Sequence, residues 1–351
     1  MQIIRCGKMI GDKEVIMDSS LQARVFNKQV GYAKKGMAAA IAAGALWGLN
    51  GVLLGFVFHF DPFLTVVSVL VTSIVQAGLH DGFAAIWVIL YNLKNGKIKE
   101  YARTLSTRPG KIICIGGICG GPLAMTGYVL GINLAGAAYA MPISALCPCV
   151  GAFLAAVFLK ERIQPRVWVG IILAVAGAII VSYVPPEGAD PANFYLGIAL
   201  ATLATLGWGI EGALGSYGLD LVDPNLATGV KYLSSFVVYI VVVIPLCGGL
   251  PFLFQAVMSM NAMALLAIAA ITGAGCYIFW YKALNMTGVS RTMALNDTYV
   301  LWGLVFTALF SAVGLMEFSF TPNLVIGALI VVVGVILVVA KPSDLITVRN
   351  N

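Results

Sequence analysis

The sequence predicts an all-α membrane protein: ten transmembrane helices arranged as two inverted five-helix repeats, with both termini cytoplasmic. Three observations carry this prediction. Of 351 residues, 60% are hydrophobic and only 10% charged, against about 25% charged in soluble domains. Apolar runs of about 20 residues, the length that crosses a ~30 Å hydrocarbon core as helix, can be placed ten times. The stretch Trp47-Gly48-Leu49-Asn50-Gly51-Val52-Leu53 recurs 161 positions later as Trp208-Gly209-Ile210-Glu211-Gly212-Ala213-Leu214.

The runs cover residues 37–58, 63–92, 111–131, 137–159, 166–184, 194–216, 224–248, 261–284, 292–314 and 321–340. The alternating pattern of outer-membrane strands is absent, so a helical bundle is the expected way to satisfy the backbone in lipid. The duplication reaches beyond the first motif. Asp61-Pro62 recurs as Asp223-Pro224, and Asn133, Gly136, Met141, Gly151 and Phe158 recur at a constant offset of 152 as Asn285, Gly288, Met293, Gly303 and Phe310.

Lys and Arg set the orientation, because short loops rich in them stay cytoplasmic. Seven precede the first span, six flank the loop between spans two and three (Lys94 to Lys111), and Lys160, Arg162 and Arg166 flank the next even loop. Lys282 and Arg291 flank a third, Lys341 and Arg349 follow the last span, and Lys231 sits early in span seven. All 21 basic residues thus fall on one side. Five spans per half is an odd number, so the second copy crosses the membrane in the opposite sense. The expected division is a cytoplasmic tail over 1–36, repeats over 37–184 and 194–340, an extracellular linker over 185–193 and a second cytoplasmic tail over 341–351, with Met37 an alternative start.

Span one carries Trp47 and Asn50 near mid-depth by a 1.5 Å rise per residue. Span two contains Gln76 and the pair His80-Asp81, an expensive combination in an apolar helix. Gly116, Gly117, Gly120 and Gly121 precede Pro122 in span three, which also holds Tyr128; small residues at this density let helices approach closely and place this span centrally. Pro142 and Pro148 bracket Ser144 in span four, where lost backbone donors predict a hinge or cavity lining. Span six repeats the mid-depth tryptophan as Trp208 and replaces the amide by Glu211. Lys231 lies in span seven, Tyr277, Trp280 and Tyr281 in span eight, and Asn296, Asp297, Tyr299 and Trp302 open span nine. Spans five and ten lack buried charge and are expected at the periphery.

Glu211 is the strongest site candidate. A carboxylate near the bilayer centre costs about 2.5 kcal/mol or more on insertion scales and is functional by default; the competing structural reading makes it the partner of Lys231. Trp47, Trp208, Tyr128, Tyr277, Trp280, Tyr281, Tyr299 and Trp302 supply rings for an aromatic box, which binds quaternary ammonium by cation–π attraction of about 2 kcal/mol or more when desolvated. For each ring, plain packing is the alternative. Asp81 and Asp297 are further buried acids, and His80 is placed to relay protons or to hold Asp81's neighbours. Asp81, Glu211 and Asp297 against Lys231 give a cavity that leans negative if these groups face it, which favours a cationic substrate.

These features together resemble the drug/metabolite transporter superfamily in its EamA-domain form, across residues 37–340. The residues carrying the likeness are the glycine-rich third span and the exit Phe158-Leu159-Lys160-Glu161-Arg162 of the fourth. Within the superfamily, His80-Asp81, Ser144-Ala145-Leu146 with Pro148, Trp208-Gly209 with Glu211, and Asn296, Thr298-Tyr299-Val300 and Trp302 are similar to the bacterial choline permease branch. The resemblance implies transport of choline or a related quaternary amine across a bacterial cell membrane. It assigns Trp208, Glu211, Tyr299 and Trp302 to the site, with His80 and Asp81 supporting them. Asp297 departs from the choline-type pattern; an added acid there fits a different amine or proton coupling, with neutralisation by nearby Lys231 as the plain alternative.

An amino acid, metabolite or drug exporter of the same fold is the alternative function, with Lys231 as the carboxylate partner such a substrate needs. An intramembrane enzyme is disfavoured, since the two histidines, His59 and His80, form no His-Glu-x-x-His pattern. The net charge of +6 follows from the basic loops, whose partner is anionic lipid rather than nucleic acid. The seven cysteines read as small apolar packers. No cofactor or metal is expected, and the assembly is a monomer or homodimer.

Overall fold

A computed structural model describes residues 19–65, 68–150, 164–219, 221–287, 289–318 and 320–339. Among these residues eight helical stretches are long and apolar enough to cross a membrane: Gly31–Val57, Val69–Lys94, Arg108–Ala135, Pro165–Ser182, Pro191–Gly215, Pro224–Leu246, Met260–Leu284 and Thr292–Ala312. Two shorter apolar helices, Ala137–Val150 and Pro322–Val338, stand where spans four and ten are predicted. The exit motif Phe158-Leu159-Lys160-Glu161-Arg162, the repeat positions Gly151 and Gly288, and the tail basic residues Lys341 and Arg349 lie outside the described residues.

Helix α1 (Ser19–Val57) starts well before residue 37, so half of the segment expected as a tail is helix continuous with the first span. Helix α2 (Val69–Lys94) begins later than residue 63, because Asp61-Pro62 lies in a turn and Ser68 provides the cap, its hydroxyl accepting from the Val71 N–H. A short α3 (Glu100–Ser106) fills the basic loop, and Thr107 caps α4 (Arg108–Ile118) by accepting from the Gly110 N–H. The third span then loosens into a π-helical segment, Cys119–Met125, around Pro122 before continuing as α5 (Thr126–Ala135). A proline without an N–H cannot complete the α-helical ladder, and a wider turn is a common resolution. Gly136, at φ 88°, turns the chain into α6 (Ala137–Ser144).

After α7 (Pro165–Ser182) the second half follows the plan of the first. It comprises α8 (Pro191–Leu219), α9 (Pro224–Val238), a second π-helical segment (Tyr239–Val243), α10 (Ile244–Leu246), α11 (Leu250–Val257) and α12 (Met260–Thr287). Helices α13 (Val289–Asn296), α14 (Tyr299–Ala312) and α15 (Pro322–Val339) complete it.

Spans four and nine break at equivalent places. Turns occupy Ala145-Leu146 and Asp297-Thr298, related by the offset of 152. Only the first break has prolines beside it. At each, a hydroxyl bonds back to the third preceding carbonyl, Ser144 to Met141 at 2.9 Å and Thr298 to Leu295 at 2.6 Å, offering the backbone an alternative to the helical ladder.

The bundle centre is formed by α1 against α12 and α14, α8 against α4 and α5, and α2 against α9 and α12. Glycine makes these approaches close, as the third span's sequence foretells. Helix α7 is the least buried candidate span, and it pairs with α15 through Gly170, Gly177, Gly327 and Gly334, where added side chains would strike the facing backbone.

Candidate substrate-binding site

The repeated motif brings its two tryptophans together. Trp47 on α1 and Trp208 on α8 meet edge to face, with ring centres 5.3 Å apart and planes at 78°. Tyr277 from α12 adds a second edge contact to Trp47 at 5.9 Å. Tyr128 backs both tryptophans, 5.9 Å from Trp47 and 5.1 Å from Trp208. Trp47, Trp208 and Tyr277 border a cavity with about 500 Å³ of empty space, open solvent included. Its wall also includes Glu211, Trp280, Asn296, Asp297 and Tyr299, with Cys147, Cys276 and Met293 filling between them.

Glu211 is 2% exposed and sits against the loosened third span. A side chain at residue 120 would collide with its carboxylate, so Gly120 is what makes room for the acid. Tyr277 donates its hydroxyl to Glu211 Oε2 at 3.0 Å, and the Lys231 ammonium lies 3.7 Å from Oε1. Lys231 is itself buried, over the rings of Tyr277 at 3.6 Å and Tyr232 at 4.2 Å. A buried charge is tolerated when it is paired, and these contacts pair both.

The carbonyls of the π-helical segment are used by side chains across the bundle. Trp208 Nε1–H donates to Gly120 O at 3.1 Å, and the Tyr239 hydroxyl donates to Gly121 O at 2.9 Å. One cavity ring is thereby tied to the irregular turn of the third span.

A second buried polar chain runs beside the cavity. Asn50 Nδ2 donates to Ala269 O at 2.7 Å, which fixes the amide's orientation, and also reaches His80 Nε2 at 3.0 Å. His80 Nε2 is therefore an acceptor, and the proton is on Nδ1, which donates to Asp81 Oδ1 at 3.0 Å. The other Asp81 oxygen accepts from Ser235. Gly273 leaves the space in which Asn50 and His80 meet. The chain joins α1, α2, α9 and α12 with hydrogen bonds.

Comparisons with known proteins agree with this architecture. The EamA-like transporter family matches residues 34–183 and again 195–340. The chain belongs to that family. Protein LicB of Haemophilus influenzae is 26% identical over 190 residues, which cover 54% of this chain and 63% of LicB. The match thus spans just under two thirds of that relative's length. A solved crystal structure at 17% identity aligns with a TM-score of 0.56 over 87% of this chain and 96% of its own, a likeness of fold alone. Membership of the EamA-like transporter family and eight helices among the described residues long and apolar enough to cross a bilayer make this a multi-pass membrane protein.

Of the site residues expected from sequence, Trp47, Trp208, Glu211, Tyr277, Asn296, Asp297 and Tyr299 line the transporter's cavity. Tyr128 stands behind the tryptophans, and Tyr281 behind Tyr277 and Trp280. Trp302 stacks towards Phe306 at 6.3 Å and is not on the cavity wall. Asn50, His80 and Asp81 form the separate polar chain, so Asp81 does not add to the charge of the wall. Lys231 reaches Glu211 from behind it. Tyr299 is held by its hydroxyl, 2.7 Å from Ser144 Oγ and donating to Met141 O at 3.3 Å.

Sequence reasoning passed over Cys147 and Met293. Both were within reach of the repeat, since Cys147 is the equivalent of Tyr299 and Met293 of Met141 at the same offset of 152. Cys276, beside Tyr277, carries no such signal.

Proposed function

We propose that this transporter carries a small organic cation, choline or a related quaternary amine, across a bacterial cell membrane by alternating access. The observation that carries the reading is the group of edge-packed rings, Trp47, Trp208 and Tyr277, around the buried Glu211. Ring faces attract a methylated ammonium without asking it for hydrogen bonds, and the resemblance of Trp208-Gly209 with Glu211 to the choline permease branch points the same way. The paired breaks at Ala145-Leu146 and Asp297-Thr298 supply the interrupted helices around which inverted repeats rock. A monovalent cation entering down a 100 mV potential gains about 2.3 kcal/mol, enough for about fiftyfold accumulation without a coupled ion.

The test is ligand-dependent thermal stabilisation of the purified transporter against choline, betaine, carnitine, putrescine, amino acids and a lipophilic cation, since a ligand stabilises the state it binds. A shift with choline that disappears in Glu211→Gln supports the reading. Silence for every cation with a shift for an amino acid or drug moves the function to an exporter of that substrate.

A further inference from the structure

We propose that Asp297, rather than the lysine-paired Glu211, supplies the carboxylate that receives the substrate cation, and that it makes the cavity reject zwitterions built on the same amine. The inference rests on the organic-cation reading.

Three buried acids lie in or beside the cavity; one is charge-paired and a second accepts hydrogen bonds at both oxygens. Glu211 has the Lys231 ammonium at 3.7 Å from Oε1, which itself accepts no hydrogen bond, and the Tyr277 hydroxyl at 3.0 Å from Oε2. Asp81 accepts from His80 and Ser235 and is not on the cavity wall. Asp297 is different. It lines the cavity at 1% exposure, and its Oδ2 has no hydrogen-bond partner. Among the described residues no lysine, arginine or histidine pairs with it, and its side-chain support is the adjacent Asn296. The acid stands in the helix break at the place that Ala145 takes in the first repeat. The C-terminal end of α13, whose last carbonyls carry partial negative charge, terminates beside it. A lone buried carboxyl avoids charge until a partner arrives, and a cation that enters the cavity is such a partner.

Two neighbouring groups specify the rest of the ligand. Asn296 Oδ1, an acceptor, and Trp280 Nε1–H, a donor, both line the cavity and both lack partners. A ligand hydroxyl, at once donor and acceptor, matches the chemistry of both groups. An ammonium with a hydroxyl, as in choline, therefore completes the wall. Betaine, with a carboxylate in place of the carbinol, sets an anion beside the Asp297 carboxylate, and like charges repel.

The experiment is calorimetric binding of choline and of glycine betaine to the purified full chain, in the wild type and in Asp297→Asn, Asp297→Ala and Asp297→Glu. The wild type is expected to bind choline and exclude betaine. Asp297→Asn is expected to lose about ten- to hundredfold in choline affinity, the range of one charge-assisted contact, while acquiring measurable betaine binding. Asp297→Ala, which restores the residue of the first repeat, should behave likewise, and Asp297→Glu should keep the wild-type preference. A gain of betaine binding cannot come from a damaged fold. Choline binding with an unchanged choline-to-betaine preference in the Asn and Ala variants overturns the role of Asp297 alone. Failure of the wild type to bind either amine overturns this inference together with the organic-cation reading.

Discussion

Trp47 and Trp208, equivalent residues 161 positions apart in the chain, touch edge to face at 5.3 Å. The duplicated motif therefore meets itself at the cavity. Three residues further on, the two copies part in function: Asn50 turns to His80 and Ala269, whereas Glu211 turns to Tyr277 and Lys231. One position of the repeat bonds within the scaffold and its counterpart lines the cavity.

Trp208→Ala removes both a cage face and the donor to Gly120 O. It should weaken binding of trimethylated amines by about thirtyfold, the equivalent of ~2 kcal/mol of cation–π attraction, and that of primary amines less. Trp208→Phe keeps a ring and loses only the N–H, so it should retain most of the preference. Titration calorimetry with tetramethylammonium and methylammonium checks both, and equal losses for the two amines would argue against a cage.

Glu211→Gln leaves the Lys231 ammonium buried without its counter-charge. Breaking such a pair costs about 3–5 kcal/mol, while replacing both members by apolar groups is often neutral. Glu211→Gln should therefore lower thermal stability and abolish transport, and adding Lys231→Met should recover most of the stability but not the transport. Unfolding curves in detergent and uptake into proteoliposomes separate these outcomes.

At the membrane edge, Lys97 and Asp223 form a 2.7 Å ion pair that ties the basic loop to the start of α9. Burial alone would raise the Asp223 carboxyl, but the Lys97 contact and the N–H groups of Leu226 and Asn225 outweigh it and hold the carboxyl below its ordinary value. A depressed carboxylate contributes stability above its unfolded value, near pH 3.9, and loses it as pH falls through the lower folded value. Asp223→Asn should thus be destabilising at pH 7 by at most about 1 kcal/mol, since the pair is partly exposed. The difference from wild type should shrink below about pH 4, as read by thermal unfolding at both pH values.

Much of this was legible in the chain. The repeat gave the tryptophan pair, the amide-to-acid exchange and, through Pro142 and Pro148, the break in span four. Its counterpart at Asp297-Thr298 has no proline, and it is recognised from sequence only by carrying the first break across the offset. The π-helical segments were hidden, since Pro122 announces a disturbance but not its form, and Tyr239–Val243 contains no proline at all. Facing was hidden too. Trp280 and Trp302 are equally apolar neighbours of the site, yet one lines the cavity and the other packs on Phe306. In lipid both faces of a helix are apolar, so the periodicity that marks the buried face of a soluble helix is missing.

Gly120 and Glu211 share one small volume, the glycine's missing methyl being the space the carboxylate fills. The two positions are therefore a single unit when related chains are read. A relative with a side chain at the first must have swung this carboxylate aside, shortened the second residue or shifted the third span, and its cavity then differs from this one. Ancestry across the whole length would then be intact while the cavity had changed, and residue 120 would be the place to see it.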